Sequence, residues 1–175
     1  MKIDFTPKRI KLTRVAIALV AISLAGYVAY AATQLSINNT GTVVLANKNW
    51  KIITFNPGAT GFPTSAANCP TTGYTDTGTY TISFGSIAQG TSAIGEVCVQ
   101  NSSTATESYS ASTALTPTPV LPAGVTVTYS ADGSAPGPTA TSGQIAPNGI
   151  SLLAIDVSAS STATAGALSF TTTIA

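Results

Sequence analysis

The sequence predicts an all-β protein built as a sandwich of two sheets, and three observations lead to that class. Of the 175 residues, 19 are Ser and 29 are Thr, and Thr together with Val favours strands over helices. Segments of alternating apolar and polar residues recur along the chain, separated by Gly, Pro, Asn and Ser. Charged residues make up only 7% and apolar residues 44%, which excludes a chain kept disordered by its own charge.

The chain begins with a basic segment followed by an apolar run, which is the pattern of an export signal. The run covers residues 15–28, and Ala29-Tyr30-Ala31 then supplies the small-x-small pattern that signal peptidase accepts. We therefore expect residues 1–31 to be a signal peptide that is cleaved after Ala31. Two alternatives stay open. The uncharged stretch is nearly long enough for a retained membrane anchor, and a type IV pilin would keep it as the central helix of a filament.

Residues 34–45 show an alternation of apolar and polar residues directly after the expected cleavage site. Four apolar residues occupy odd positions, namely Leu35, Ile37, Val43 and Leu45. The polar residues occupy even positions, namely Gln34, Ser36, Asn38, Thr40 and Thr42. This period of two predicts a strand with one buried face. We expect residues 32–46 to form an extended N-terminal tail and residues 47–175 to form the β-sandwich domain.

Seven further segments of the domain are predicted to be strands. They are residues 50–55, 80–84, 97–99, 109–115, 125–129, 150–157 and 168–174. Residues 56–78 form a loop rich in Gly, Pro and Thr, and Asp132-Gly133 and Asn148-Gly149 are favoured turn pairs. The segment ISLLAIDV, residues 150–157, is apolar at both parities around its centre, which predicts a strand that is covered on both faces.

The composition argues against most kinds of enzyme and predicts no cofactor. The chain has no His, one Met and two Cys, which removes the common general base and the usual zinc and copper ligand sets. After residue 31 the charges are two Lys against five acidic residues, or −3, with no Arg. We therefore expect no nucleic-acid partner, and contact with a membrane only through the N-terminal segment of the precursor.

Two features depend on export. Cys69 and Cys98 are the only cysteines, and in an exported chain they are expected to form a disulfide that closes a loop of about 30 residues. Two free buried thiols are the alternative. Asn38 and Asn101 each begin an Asn-x-Ser/Thr sequon and are candidate glycosylation sites.

Because ionisable groups are few, we also expect the stability of the domain to vary little with pH.

Four segments in order resemble a known family: TYTISFGSIAQG, EVCVQNSS, LPAGVTVTYS and GQIAPNGISLLAIDVSASSTATAGALSFTTTI. They look like the small secreted immunoglobulin-like domains of archaea. With a signal peptide followed by an alternating tail, the chain is similar to archaeal thread subunits. It is more distantly similar to archaeal bundling pili and to the bacterial TasA biofilm fibres. The resemblance covers about residues 34–175 and implies an immunoglobulin-like or jelly-roll-like antiparallel β-sandwich.

The resemblance also implies a function, which is assembly by donor-strand complementation into an extracellular filament for adhesion or biofilm. Leu35, Ile37, Val43 and Leu45 would be the anchors that enter a groove of the next identical subunit. Other expected partners are cell surfaces or other filaments. Two alternatives stay open. Residues 34–45 could be the first strand of their own sandwich, and the protein could be a membrane-anchored or monomeric surface-binding module.

Overall fold

The computed structural model describes residues 37–76, 79–113 and 121–175, and these residues form an all-β sandwich. Within them lie nine strands and one short 3₁₀ helix, Ala66–Asn68. The strands are β1 (Ile37–Leu45), β2 (Trp50–Phe55), β3 (Thr79–Ile87), β4 (Ser92–Asn101), β5 (Ser110–Thr113), β6 (Val125–Ala131), β7 (Thr139–Thr141), β8 (Ile150–Ala159) and β9 (Leu168–Ile174). The prediction of an all-β sandwich is confirmed.

The strands form two sheets. One has five strands in the order β3-β1-β9-β5-β7, and the other has four in the order β2-β4-β8-β6. Neighbouring strands are antiparallel except β1 and β9, which run parallel. The sandwich was expected to be antiparallel, and this pair is the exception. A hairpin would force antiparallel pairing, but β1 and β9 are separated by nearly the whole domain, so no short turn constrains their directions.

The core lies between the two sheets and is built from alternate residues of their strands. The Trp50 and Tyr109 rings meet edge to face with centroids 5.5 Å apart. Tyr129 is fully buried, and its hydroxyl is hydrogen-bonded to the hydroxyls of Thr113 and Thr172 at 2.8 and 3.1 Å. Aromatic side chains therefore supply much of the core volume. The Tyr109 hydroxyl is hydrogen-bonded to the Ser151 hydroxyl at 3.0 Å, whereas Nε1 of Trp50 has no hydrogen-bond partner among the described residues.

The outer face of the four-stranded sheet carries a second, smaller apolar cluster. Cys69, Cys98 and Leu152 are its buried members, and Phe55, Ala66, Tyr74 and Ile150 pack against them. Cys69 belongs to the long β2–β3 connection, which therefore lies over this face. Leu152 is buried here, while Leu153, the next residue of β8, is buried in the main core. The prediction of a strand covered on both faces is confirmed.

Candidate functional site

The candidate site is β1 together with the two strands that hold it. β1 is antiparallel to β3, with Thr42 opposite Thr81, and parallel to β9, with Thr42 opposite Thr171. It therefore lies in the interior of the five-stranded sheet although it is the first strand of the domain. The compact unit that contains it extends from Ser36 to Ala175. In this structure β1, which belongs to the segment expected to be a tail, pairs with strands of its own chain.

The alternation of β1 directs its odd positions towards the core. Val43 is 1% exposed, and Leu45 is half-buried and packs against the core cluster. On the other face Thr40 is exposed and Thr42 is half-buried. For Ile37 only the backbone pairing with Ile87 is described. The predicted inward parity is therefore confirmed at Val43 and, in part, at Leu45. Leu35 lies outside the described residues.

Gly41 is a further residue of this site that the analysis of the sequence missed. It is buried in β1, and a Cβ atom placed on it would lie 2.6 Å from Cζ of Phe170 and 3.0 Å from Cε2 of Phe84. The two rings pack against each other with centroids 5.8 Å apart. They occupy the space that a side chain at position 41 would need. The available signal was a Gly inside an alternating strand, which often marks a close approach.

The predicted disulfide is present and joins Cys69 to Cys98, with their Cα atoms 5.9 Å apart. Cys98 lies on β4, and Cys69 follows the 3₁₀ helix in the β2–β3 connection. Because the two cysteines are 29 residues apart in the chain, the bond ties this long connection to the face of the four-stranded sheet. It therefore stabilises the cover of β8 and lies away from β1.

The two candidate glycosylation sites differ in what surrounds them. Asn101 is 0% exposed, and its Nδ2 donates hydrogen bonds to the carbonyls of Ala105 and Ile145 at 2.7 and 2.8 Å. Its Oδ1 accepts from the backbone N–H of Ser103. Because glycosylation uses that amide nitrogen, the folded domain does not offer Asn101 as an acceptor, and modification of Asn101 before folding stays a prediction. Asn38 lies on β1 opposite Ser86, and its use stays a prediction.

Two carboxyl groups lie in apolar surroundings on the outer face of the four-stranded sheet. Glu96 pairs with Phe55 and Ala154 on the neighbouring strands and is 6% exposed. Among the described residues its Oε2 has no hydrogen-bond partner, and burial raises its pKa to about 7. Burial also raises the pKa of Asp156, against the opposing effect of a hydrogen bond to Ser92. The two raised pKa values predict that the stability of the domain depends on pH, whereas the small number of ionisable groups predicts little dependence.

Two surface cavities flank the same sheet. The larger, of about 310 Å³, lies between the 3₁₀ helix and the β6–β7 turn and is lined in part by Asp132. The carboxylate of Asp132 accepts hydrogen bonds from the Leu152 N–H and the Ser151 hydroxyl. It therefore fixes the turn that follows β6. The smaller cavity, of about 210 Å³, is lined by Ile94 and Asp156 among others.

Several expectations from the sequence are not tested by the structure. Ala29 and Ala31, the residues of the predicted cleavage site, lie outside the described residues. Within residues 37–76, 79–113 and 121–175, no helix has the length and apolar character needed to cross a membrane. The same residues contain no group of three or more Cys, Asp or Glu side chains that could hold a metal ion.

No protein-family model matches the sequence, and no curated protein matches it either. The likeness to archaeal thread subunits therefore depends on the four sequence segments given above.

Proposed function

We propose that this protein is the structural subunit of an extracellular filament in which β1 of each subunit occupies the slot between β3 and β9 of the next. The single observation that carries the proposal is the position of β1. It is the first strand of the domain, yet it lies inside a sheet between two strands that are distant from it in sequence. A terminal strand can leave such a position without disturbing the order of the other strands.

The physical reason for exchange is that an empty slot between β3 and β9 would raise the free energy of the subunit. Without β1, the facing edges of β3 and β9 would expose unpaired N–H and C=O groups along their length. Phe84 and Phe170, which lie against Gly41, would lose their cover. A β1 strand from an identical subunit restores the same hydrogen bonds and the same apolar contacts in the same register. Exchange in one direction that does not close on itself produces a filament.

Other features agree with a role outside the cell. The basic and apolar N-terminal pattern is that of an exported precursor, and the disulfide is of the kind that persists in oxidising surroundings. The filament would be secreted and displayed at the cell surface, where it would support adhesion or biofilm by contacting cell surfaces or other filaments. No cofactor is required for such a role.

The second candidate function is a monomeric or membrane-anchored module that binds at the cell surface. One observation favours it, namely that β1 pairs with β3 and β9 of its own chain. A subunit closed on itself in this way needs no neighbour to be stable. The same closed form would also be the soluble precursor of a strand-exchanged filament. The two functions therefore differ in whether β1 ever pairs with another copy.

Paired cysteines across β1 and β3 distinguish these functions. Thr42 and Thr81 are directly opposite each other, and both point away from the core, so the double variant Thr42→Cys/Thr81→Cys can form a disulfide. The matched control is Ser112→Cys/Thr173→Cys, a facing pair of β5 and β9 that does not involve β1. Both variants are recovered from the cell surface, oxidised and separated without reductant.

Exchange predicts a ladder of covalently linked subunits for the Thr42/Thr81 pair, whereas the control pair links only within one chain. Both pairs should migrate as monomers if the surface module is the correct function. Electron microscopy of the same material shows whether filaments are present. A monomer band for Thr42/Thr81 taken from intact filaments would exclude exchange of β1 as their mechanism.

A further inference from the structure

The turn between β1 and β2 is short and is anchored on both sides. The backbone N–H of Ala46 donates to the carbonyl of Ile174 at 2.7 Å, which ties Ala46 to β9. The N–H of Ser102 donates to the carbonyl of Asn49 at 2.7 Å, and Nδ2 of Asn49 donates to both carboxylate oxygens of Glu107 at 3.0 Å. Only Asn47 and Lys48 therefore lie between the two anchors.

The anchors belong to different parts of an exchanged assembly. Ala46 continues β1, so it would remain with the slot of the accepting subunit. Asn49 is held by the residues that follow β4, so it would remain with the body of the donating subunit. Both lie at one end of the sandwich, where β1 and β9 end and β2 begins. We call this end the hinge pole, and it comprises Ala46, Asn47, Lys48, Asn49, Ser102, Glu107 and Ala175.

We infer that subunits of the filament meet hinge pole to hinge pole, and this inference rests on the proposed exchange of β1. The reach of the chain is the reason. From Ala46 to Asn49 there are three Cα steps, which span at most about 11 Å when fully extended. The hinge pole of a donor is therefore held beside the hinge pole of its acceptor. The opposite end of either sandwich is too far away to take part in this contact.

The same limit fixes the spacing of the filament. In the accepting subunit, the Ala46 inserted by the donor takes the place of the acceptor's own Ala46, so it lies at most about 11 Å from the acceptor's Asn49. The donor's Asn49 lies at most about 11 Å farther along the donor chain. The Asn49 Cα atoms of consecutive subunits are thus no more than about 22 Å apart, and the helical rise, which is the same for every atom, cannot exceed this distance. The ten-residue strand β4 is about 33 Å long. Domains stacked end to end would need a rise of at least about 33 Å per subunit, which exceeds the limit of about 22 Å. The hinge poles therefore line the filament axis and the rest of each domain points outward.

The charges of the hinge pole fit contact with a second copy. Lys48 is exposed in the turn, and Glu107 is half-buried beside Asn49. Lys48 and Lys51 are the only lysines after residue 31, and Lys51 is the second residue of β2, directly after the turn. A cation and an anion on the same small surface can pair with their counterparts on an identical surface. The partner that fits this pole is therefore another copy of the chain.

Two measurements on native filaments test the inference. Helical reconstruction from electron micrographs gives the rise per subunit, which we expect to be no more than about 22 Å. Amine-reactive cross-linking followed by mass spectrometry should give a link between Lys48 and Lys48, which can only join two chains. Inserting four Gly and Ser residues between Asn47 and Lys48 should relax the limit and change the rise. The same insertion between Thr60 and Gly61, in the exposed β2–β3 connection, should leave the rise unchanged.

The outcomes separate this inference from the proposed function. A Thr42/Thr81 ladder with a rise of about 33 Å or more and no Lys48–Lys48 link would overturn the pole contact and leave exchange intact. A closed dimer that carries both the ladder bond and the Lys48–Lys48 link would support the pole contact and overturn the filament. No bond between chains at Thr42/Thr81 would overturn exchange and, with it, the pole contact.

Discussion

Gly41 is the residue that decides how β1 can lie in its slot. Phe84 and Phe170 fill the space beside its Cα, so no other core-facing position of β1 can replace it. A shift of the strand by two residues would bring Val43 or the residue at position 39 against the two rings. The glycine therefore selects one register, whether the strand belongs to the same chain or to a neighbour.

We expect Gly41→Ala to destabilise the domain by roughly 1 to 3 kcal/mol, because its Cβ overlaps the ring of Phe170. The matched control is Gly143→Ala, where an added Cβ meets no atom within 4 Å. Urea unfolding of the purified domain measures both. Adding Phe170→Leu to Gly41→Ala should recover part of the loss. Equal midpoints for the two alanine variants would contradict the role given to Gly41.

Glu96 makes the stability of the domain depend on pH. Burial raises its pKa from 4.5 to about 7, so the folded state holds the proton more tightly than the unfolded chain does. The resulting stability is fully present below the unfolded pKa and is lost as the pH rises towards the folded pKa. Asp156, whose pKa is also raised, acts in the same direction.

Between about pH 4.5 and pH 7, we expect the free energy of unfolding to fall by on the order of 1 to 3 kcal/mol as Glu96 ionises. In Glu96→Gln this fall should shrink to the smaller part that Asp156 contributes, and the variant should be more stable than the natural protein at pH 8. Denaturant titrations across this range measure both effects. A variant that keeps the full slope would show that another group causes it.

At the scale of elements, the disulfide and β8 depend on each other. β8 has apolar side chains on both faces, and its outer face is covered by the β2–β3 connection that Cys69 ties down. Without the bond, the chain from Asn56 to the start of β3 would be held mainly by backbone bonds such as those between Ile52 and Thr75. The disulfide therefore holds the β2–β3 connection against the outer face of β8, where the connection takes the place of a third layer of structure.

We expect the double variant Cys69→Ala/Cys98→Ala to lose about 3 to 4 kcal/mol of stability, since the bond closes a loop of about 30 residues in the unfolded chain. Limited proteolysis should then cut the β2–β3 connection, which the bridged protein protects. Reduction of the natural protein should have the same two effects. Unchanged protease resistance would show that packing alone holds this connection.

At the scale of the whole molecule, the proposed function gives one strand two roles. β1 completes the sheet of its own domain and is also the segment that the proposed filament would exchange. If the anchors only filled the groove of a neighbour, charged residues at these positions would abolish filaments and leave the domain folded. Because Val43 is 1% exposed in the closed form, a charge there must now destabilise the monomer as well.

We expect Val43→Asp to prevent filaments and also to lower the stability of the isolated subunit by roughly 3 kcal/mol or more. Thr42→Asp, on the outward face of the same strand, should assemble and should change stability by less than about 1 kcal/mol. Electron microscopy and thermal unfolding measure the two effects separately. Normal filaments from Val43→Asp would show that this strand is not the one exchanged.

The sequence alone predicted the all-β sandwich, the inward face of β1, the two-sided burial of β8 and the Cys69–Cys98 bond. Each of these follows from local chemistry: alternation reports which face of a strand is apolar, and two cysteines allow only one pair. It did not predict β7, a strand with the sequence TAT, because an alternation of only three residues is too short to indicate a strand. That strand exists because β5 offers it a partner.

Only the tertiary structure decided the other points, since they depend on contacts between residues far apart in the chain. Parallel pairing of β1 with β9 brings the two ends of the domain together, and alternation does not say which strands are neighbours. The same holds for Asn101, an ordinary sequon in the sequence, whose amide is engaged by the distant carbonyl of Ile145. The need for a glycine at position 41 likewise comes from Phe84 and Phe170, two rings that are distant from it in the chain.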